Sequence, residues 1–216
     1  MKPIRVLAIC LAAILALPSA ASAQEVTFQQ YNFAFTPPAG WQRLPNLPSQ
    51  PQLVALYANP AKTAQLMVIV NDEGTSPIVM NDSFVNDFTK GVEDGGGGKV
   101  LSGSFVQAAG VKSYQMVGAM SPPGGKAHIT TFGVAIPAGK TLYGLQAMRT
   151  DGAASDLPEL RKSIDSFRFL TAPPPQPADD GTFSAHNFGG ATGHVLFYCV
   201  VVAVIFGIIR MLRGRR

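Results

Sequence analysis

The spacing of apolar residues in the first third of the chain predicts β-strands. Tyr31, Phe33 and Phe35 alternate with smaller or polar residues, which is the period-two pattern of a half-buried strand. The segments Leu53–Ala58 and Leu66–Val70 are further strand candidates, and the proline-containing stretch between them favours a turn. Because Leu66–Val70 is an unbroken apolar run, we expect it to be a central strand that is covered on both faces.

Two later segments have the spacing of amphipathic helices. Either Asn81 or Asp82 can cap the start of the first helix. Its apolar stripe consists of Phe84, Val85, Phe88 and Val92. Asp156 is expected to cap the second helix. The stripe of that helix consists of Leu157, Leu160, Ile164 and Phe167.

Two strand pairs are predicted between these helices. Lys99–Val106 pairs with Ser113–Met120, and Ala127–Ile136 pairs with Thr141–Arg149, each around a turn that contains glycine. Since these strands follow one another without a crossover helix, the sheet should be antiparallel. The order of elements favours an α+β fold, with helices packed on a central antiparallel sheet.

The stretch 191–212 has the length and composition of a membrane-spanning helix. It contains no acidic residue, and its first arginine is Arg210. A helix of about 20 apolar residues spans the hydrocarbon core of a bilayer. We therefore predict a single transmembrane helix at 191–212, a proline-rich linker at 171–190 and a basic cytoplasmic tail at 213–216.

The segment 1–23 has the features of a secretory leader. A basic start precedes an apolar run, and Ala21-Ser22-Ala23 fits a signal-peptidase site. The run is short and is broken by Pro18, which argues against a second membrane helix. The folded segment 24–170 is therefore predicted to be periplasmic, on a single-pass protein of the bacterial inner membrane whose C-terminus is cytoplasmic.

The charge of the predicted domain argues against nucleic-acid binding. The formal net charge of the chain is +4, but segment 24–170 carries eleven basic and eleven acidic residues. A nucleic-acid-binding domain would concentrate basic charge on its folded part. The two cysteines, Cys10 and Cys199, lie in the leader and the predicted anchor, so the domain has no disulfide and no thiol nucleophile.

No motif in the sequence has the spacing of a catalytic, cofactor-binding or metal site. The run Gly91–Lys99 is rich in glycine, but a helix precedes it and a strand follows, which is the reverse of a phosphate-binding loop. The histidines His128, His186 and His194 have no second ligand at motif spacing. We therefore expect no catalytic residues, no cofactor and no metal, and a protein that is not an enzyme.

Small residues form one stripe on the predicted transmembrane helix. Cys199, Ala203 and Gly207 are spaced four residues apart, which places them on one helix face. Such a stripe lets another helix approach closely, although small residues are also common in membrane helices for other reasons. Self-association or packing on a partner through this helix is one hypothesis for the anchor.

The two ends of the domain resemble a known family. The opening segment Tyr31–Trp41 includes the aromatic strand residues Tyr31, Phe33 and Phe35 and then Pro38, Gly40 and Trp41. It resembles the start of PsbP-like and DcrB-like domains, and Leu160–Phe169 is similar to their last helix. The resemblance implies an α/β/α sandwich about an antiparallel sheet. It also implies an accessory or assembly role at membrane complexes, to which this chain adds a C-terminal anchor.

Three functional hypotheses follow from these features. The first is a membrane-anchored, non-catalytic binding or assembly factor for an envelope complex. The alternative is a carrier domain for a small ligand or lipid, with a cleft between sheet and helix. An enzyme of unknown type is the third hypothesis, and it would require polar side chains that converge in a deep pocket.

Overall fold

The computed structural model describes residues 23–45, 51–72, 76–95, 98–120 and 128–176. In these ranges the strands are β1 (Val26–Phe28), β2 (Phe33–Phe35), β3 (Gln42–Arg43), β4 (Leu53–Ala58), β5 (Ala64–Asn71), β6 (Lys99–Ala108), β7 (Val111–Met120), β8 (Ile129–Ala138), β9 (Thr141–Arg149) and β10 (Arg168–Phe169). The α-helices are α1 (Asp82–Asp94) and α2 (Pro158–Asp165). Short 3-10 turns lie at Gln29–Tyr31 and Ala154–Asp156.

A seven-stranded antiparallel sheet forms the centre of the domain. Its strand order is β3-β4-β5-β9-β8-β7-β6, and both predicted hairpins, β6–β7 and β8–β9, are present. Every residue of β5 is buried, which confirms the prediction that the run Leu66–Val70 is a central strand. Its apolar side chains alternate between two hydrophobic clusters on opposite faces of the sheet.

The predicted fold class, α+β with an α/β/α sandwich about a central antiparallel sheet, is wrong for the part of the chain that the structure describes. That part is mostly β, with two sheets, ten strands and two α-helices. The second sheet has the order β1-β2-β10 and packs on one face of the large sheet beside α2. The prediction failed because β1, β3 and β10 are too short to leave a periodic pattern, and because the pairing of β2 with β10 joins opposite ends of the domain.

The two faces of the large sheet have different side chains. The face beneath the small sheet and α2 is rich in aromatic rings, among them Phe33, Phe35 and Tyr143. The face beneath α1 carries the methionines of the described residues, which are Met67, Met80, Met116, Met120 and Met148. The first face is thus packed with rigid rings and the second with flexible thioethers.

The predicted helix starts are confirmed in one case and wrong in the other. The side chain of Asn81 caps α1 by accepting a 2.8 Å hydrogen bond from the backbone N–H of Phe84. Asp156 does not cap α2, because it ends a 3-10 turn and the helix begins at Pro158 after an extended Leu157. A residue before proline is disfavoured in the helical conformation, so Leu157 cannot extend the helix backwards.

Replacing Asn81 with alanine should destabilise the domain by about 1 kcal/mol, because the N–H of Phe84 loses its acceptor at the start of α1. The free energy of unfolding from urea denaturation measures the change. Ser83→Ala is a matched control, since Ser83 is exposed in the first turn of the same helix. Equal effects of the two substitutions would contradict the assignment of Asn81 as the cap.

Neither α-helix in the described ranges has the length and apolar character needed to cross a bilayer. The predicted transmembrane helix 191–212, the tail 213–216 and the leader up to residue 22 lie outside the described residues. So does most of the predicted linker, from residue 177 onward. These assignments stay predictions from the sequence.

Candidate binding cleft

An open cleft lies where the small sheet meets the β3 edge of the large sheet. Its volume is about 470 Å³. It is lined by residues of β1 and the segment before it, of the connection between β2 and β3, and of the paired strands β3 and β4. Among them are Val26, Pro37, Pro38, Trp41, Arg43 and Tyr57. A volume of this size matches a site for a small molecule or for a few residues of a peptide.

A tight turn forms one wall of the cleft. The backbone N–H of Trp41 donates to the carbonyl oxygen of Pro38 at 3.1 Å, which closes a four-residue turn. Gly40 occupies the third position with φ 75°, the conformation that a type II turn requires and that glycine adopts without strain. The turn leaves Trp41 partly exposed at the cleft while Pro37 and Pro38 are buried beneath it.

Arg43 and Tyr57, with Gln24, are the residues with polar side chains among the described residues that line the cleft. Arg43 and Tyr57 are direct cross-strand partners in the β3–β4 ladder, so their side chains lie on the same face. Tyr57 is only 4% exposed, its ring packs edge-on against Phe35, and its hydroxyl has no hydrogen-bond partner among the described residues. The Arg43 guanidinium lies 5.5 Å from the ring centroid of Phe28 and forms no ion pair within the described ranges.

The environment of Tyr57 keeps its hydroxyl protonated. Burial raises the pKa of this phenol above its usual value, and the nearby Arg43 charge opposes the shift without cancelling it. Tyr57 is therefore a hydrogen-bond donor at neutral pH, beside a cation and an apolar wall. No acidic residue is among the described residues that line the cleft. The exposed Arg43 guanidinium is the donor that an occupant of the cleft can reach, and it favours an acceptor that carries negative charge.

The residues of the family-like opening segment divide between core and cleft. Phe33 and Phe35 are fully buried in β2, and the carbonyl oxygen of Tyr31 accepts a 3.0 Å hydrogen bond from Tyr143. Pro38, Gly40 and Trp41 form the turn at the cleft.

Sequence reasoning missed Arg43 and Tyr57, although both positions contribute to the cleft. What the sequence lacks is the β3–β4 register that brings Tyr57 beside Arg43. Only the paired strands reveal the two donors as neighbours.

Other sequence-predicted features do not meet in a site. The helix stripe Cys199, Ala203 and Gly207 lies outside the described residues. Within the described ranges, no three histidine, cysteine or carboxylate side chains converge as a metal site would require. His128 precedes β8, and His186 and His194 lie outside the described residues.

The comparisons with known proteins show likeness in structure and not in sequence. No protein-family model and no curated protein matches the chain. The Ran-binding protein Mog1p of Saccharomyces cerevisiae is 12% identical, with 69% of this chain and 96% of Mog1p covered and a TM-score of 0.50. CyanoP, the PsbP of Synechocystis sp. PCC 6803, is 13% identical, with 71% and 95% covered and a TM-score of 0.47.

A third solved structure, from Bacteroides thetaiotaomicron, is 12% identical with a TM-score of 0.48. The match covers 68% of this chain but 48% of that protein, so this chain spans about half of its length. The resemblance to PsbP-like domains is confirmed at the level of the fold. At these identities the likeness establishes the fold alone, and no activity or partner follows from it.

Proposed function

We propose that this protein is a non-catalytic binding or assembly domain of the bacterial cell envelope, and that it holds a partner protein in the cleft beside Trp41. The observation that carries the proposal is the exposed Arg43 together with the partly exposed Trp41 in this largely apolar cleft. A partner protein that covers the cleft would bury the Trp41 ring and place an acceptor beside the Arg43 guanidinium.

The rest of the cleft fits binding better than catalysis. Trp41 and Arg43 are two of the residue types that dominate the energetics of protein interfaces. Within the described ranges, the cleft contains no histidine, carboxylate or thiol that could act as a base or nucleophile. Mog1p, which shares the fold, is by its name a Ran-binding protein, so the fold is compatible with holding a protein partner.

The location of this binding domain is proposed from the sequence. The leader-like segment 1–23 directs the domain out of the cytoplasm, and the apolar stretch 191–212 attaches it to the membrane. A partner that reaches the cleft is then a neighbouring envelope protein. Fractionation of cells tests this part, because a product recovered in the aqueous fraction without detergent would contradict the membrane attachment.

Crosslinking in living cells tests the role of the cleft. A photoactivatable residue at Ala39, which is exposed and lines the cleft, should capture a defined partner. The same probe at Ser83, exposed on α1 at the opposite face of the large sheet, is the matched control. Capture from Ser83 but not from Ala39 would place the interface elsewhere and refute the proposed site.

Charge reversal in the cleft should weaken the same capture. We expect Arg43→Glu to reduce the yield from Ala39 at least tenfold, because truncating or reversing a charge in a desolvated contact costs about 2 kcal/mol or more. Lys90→Glu makes the same charge change on the exposed side of α1 and should leave the yield unchanged. The measurement is the amount of crosslinked product at equal expression. An equal loss with Lys90→Glu would assign the effect to net charge and contradict a role of Arg43.

A carrier of small ligands or lipids remains the alternative. Native mass spectrometry of the protein released from mild detergent distinguishes the two, because a carrier retains a bound small molecule and an assembly factor retains a polypeptide.

A further inference from the structure

We propose that the edge strand β6 pairs antiparallel with β6 of a second copy of this chain, which joins the two large sheets into one. This contact is separate from the cleft, because it lies at the opposite edge of the sheet. β6 is the last strand in the order β3-β4-β5-β9-β8-β7-β6, and within the described ranges no strand pairs with its outer edge. Its outward backbone N–H and carbonyl groups are therefore open to another strand.

The two edges of the large sheet are protected to different degrees. β3 is two residues long and one of them is Arg43, and short length and charge both keep edge strands from pairing. β6 is ten residues long and has no charged residue after Lys99. The large apolar side chains that are exposed in the described ranges, Leu101 and Phe105, both lie on β6. Of the two edges, β6 is thus the one that can accept another strand.

The regular part of this edge is Ser102–Ala108. The register with β7 shifts between Val100 and Ser102, and the backbone N–H of Val100 donates to the side chain of Glu93 at 3.3 Å, so the start of β6 is irregular. From Ser102 onward the pairing with β7 is continuous. Phe105 is the midpoint of this regular part, so antiparallel pairing of two copies about Phe105 uses its whole length. Phe105 then lies opposite Phe105 of the second copy.

The side chains of this stretch fit pairing with an identical strand. Ser102–Ala108 carries no charge, so two copies meet without like-charge repulsion along the strand. The Phe105 ring packs edge-on against Tyr114 and lies 4.2 Å from the Lys112 ammonium, yet the residue remains 38% exposed. Aromatic side chains that face each other across an antiparallel pair stabilise it. The second Phe105 would cover the exposed side of the first.

The course of the chain after the domain favours a second copy over an unrelated strand. The described residues end at Gln176, whose side chain donates to the carbonyl oxygen of Lys112 at 2.8 Å. Lys112 pairs with Gln107 of β6, so the segment that leads to the predicted membrane helix leaves the domain beside this edge. The two-fold axis of a β6–β6 pair is perpendicular to the joined sheet, which puts both tails on the same side of the dimer. Two copies attached to one membrane can therefore pair through these edges.

The pairing ends at a dimer and depends on the membrane. Each copy uses its β6 edge in a symmetric contact, and the short, charged β3 edge does not extend the sheet further. The contact is smaller than a standard interface, which has about 20–30 residues a side. We therefore expect the dimer to form where the membrane raises the effective concentration of the copies, and to be weak in dilute solution.

Photocrosslinking of the full chain in membranes tests the inference. A photoactivatable residue at Ser104, which is exposed and next to the proposed axis, should yield a covalent dimer of two copies. The same probe at Gln42, exposed on the opposite edge strand β3, is the matched control and should yield at least fivefold less dimer. No dimer from Ser104, or equal yields from the two sites, would overturn the pairing. Capture of a different protein at Ser104 in place of the second copy would also overturn it, and would assign β6 to another partner.

Exchange of charge at Phe105 tests the register. Phe105→Lys places like charges opposite each other and beside Lys112, so it should lower the dimer yield from Ser104 at least fivefold. Coexpression of Phe105→Lys with a differently tagged Phe105→Glu chain should restore the yield of the mixed dimer, because opposite charges then face each other. A Phe105→Lys, Gln42→Glu double variant, which has its acidic residue at the other edge, should not restore it. An unchanged yield for Phe105→Lys, or restoration by both partners, would contradict pairing about Phe105.

The outcomes are separate from those that test the proposed function. The probe at Ala39 lies in the cleft at the β3 edge, so Phe105→Lys should leave its capture of a partner protein within twofold. The proposed function fails if the Ala39 probe captures no partner, whether or not the dimer forms. The pairing of β6 fails if the Ser104 probe yields no dimer, whether or not the cleft holds a partner.

Discussion

Replacing Phe33 with alanine should lower the free energy of unfolding by about 3–5 kcal/mol, the range for removing a fully buried aromatic ring. Phe33 is fully buried in β2, at the centre of the aromatic cluster that joins the two sheets. Its ring stacks on Phe28 at 4.8 Å and on Phe167 at 5.2 Å, and it meets the edge of Tyr143 at 5.7 Å. Alanine would leave a cavity bordered by three rings, and aromatic rings cannot collapse far to fill it.

Urea denaturation followed by circular dichroism measures this loss, and Trp41 fluorescence reports on the same region. Phe105→Ala is the matched control, because Phe105 is 38% exposed on the edge strand β6 and its removal should cost much less. A loss of under about 1 kcal/mol for Phe33→Ala would show that the small sheet contributes little to the core and that the fold does not depend on this cluster.

The large sheet and the helix α1 could be predicted from the sequence because each has a long periodic pattern. Leu66–Val70 and the two hairpins are within a few residues of their predicted bounds, and the Asn81 cap is a local signal. These elements depend on residues that are close together in the chain. Periodicity and turn chemistry therefore contain most of the information that specifies them.

The strand pairing of the small sheet could not be predicted because its stabilising contacts join the ends of the domain. Asn32 lies in a left-handed conformation with φ 57° and accepts hydrogen bonds from the backbone and the hydroxyl of Thr171 at 2.9 and 2.7 Å. Ser163 donates to the carbonyl oxygen of Thr36 at 2.6 Å. No local pattern links positions that are more than a hundred residues apart.

The cleft is intermediate between these two cases. Its turn, Pro38 to Trp41, could be read from the sequence, since proline and glycine at these positions specify the local backbone. Its two donors could not be identified as a pair, because their proximity depends on the register of β3 against β4. The sequence thus indicates one wall of the cleft, whereas the proximity of Arg43 and Tyr57 is seen only in the structure.

Two buried polar side chains lie on the face of the large sheet beneath α1, and the fold does not account for the free-energy cost of burying them. Gln65 and Gln146 are 6% and 3% exposed, and the Oε1 atom of the first and the Nε2 atom of the second have no hydrogen-bond partner among the described residues. Gln65 pairs with Met148 and Gln146 pairs with Met67 across the β5–β9 ladder. The glutamines thus occupy one diagonal of a four-residue square and the methionines occupy the other.

Replacing both glutamines with methionine should raise the free energy of unfolding by about 2–4 kcal/mol, since each unpartnered buried group costs about 1–3 kcal/mol. Methionine has a similar length, is flexible enough to fit, and already occupies the other two corners of the square. Urea denaturation of Gln65→Met, Gln146→Met and the double variant gives the individual and combined changes. Gln107→Met, at an exposed position of β6, is the control and should change stability by less than about 0.5 kcal/mol.

The combined change also shows whether the two amides act independently. If each amide lacks a partner independently of the other, the two increases in the free energy of unfolding add. If a water molecule bridges both amides, either single substitution lowers the free energy of unfolding, and the double substitution lowers it less. A cavity of about 20 Å³ beside Gln146, lined also by Phe88 and Met116, is large enough for one water molecule, and Gln65 is not among its lining residues. A fall in stability for both single variants would therefore contradict the view that these amides are unpartnered. It would show instead that this face of the sheet encloses structural water, and that the methionines surround a polar centre of the core.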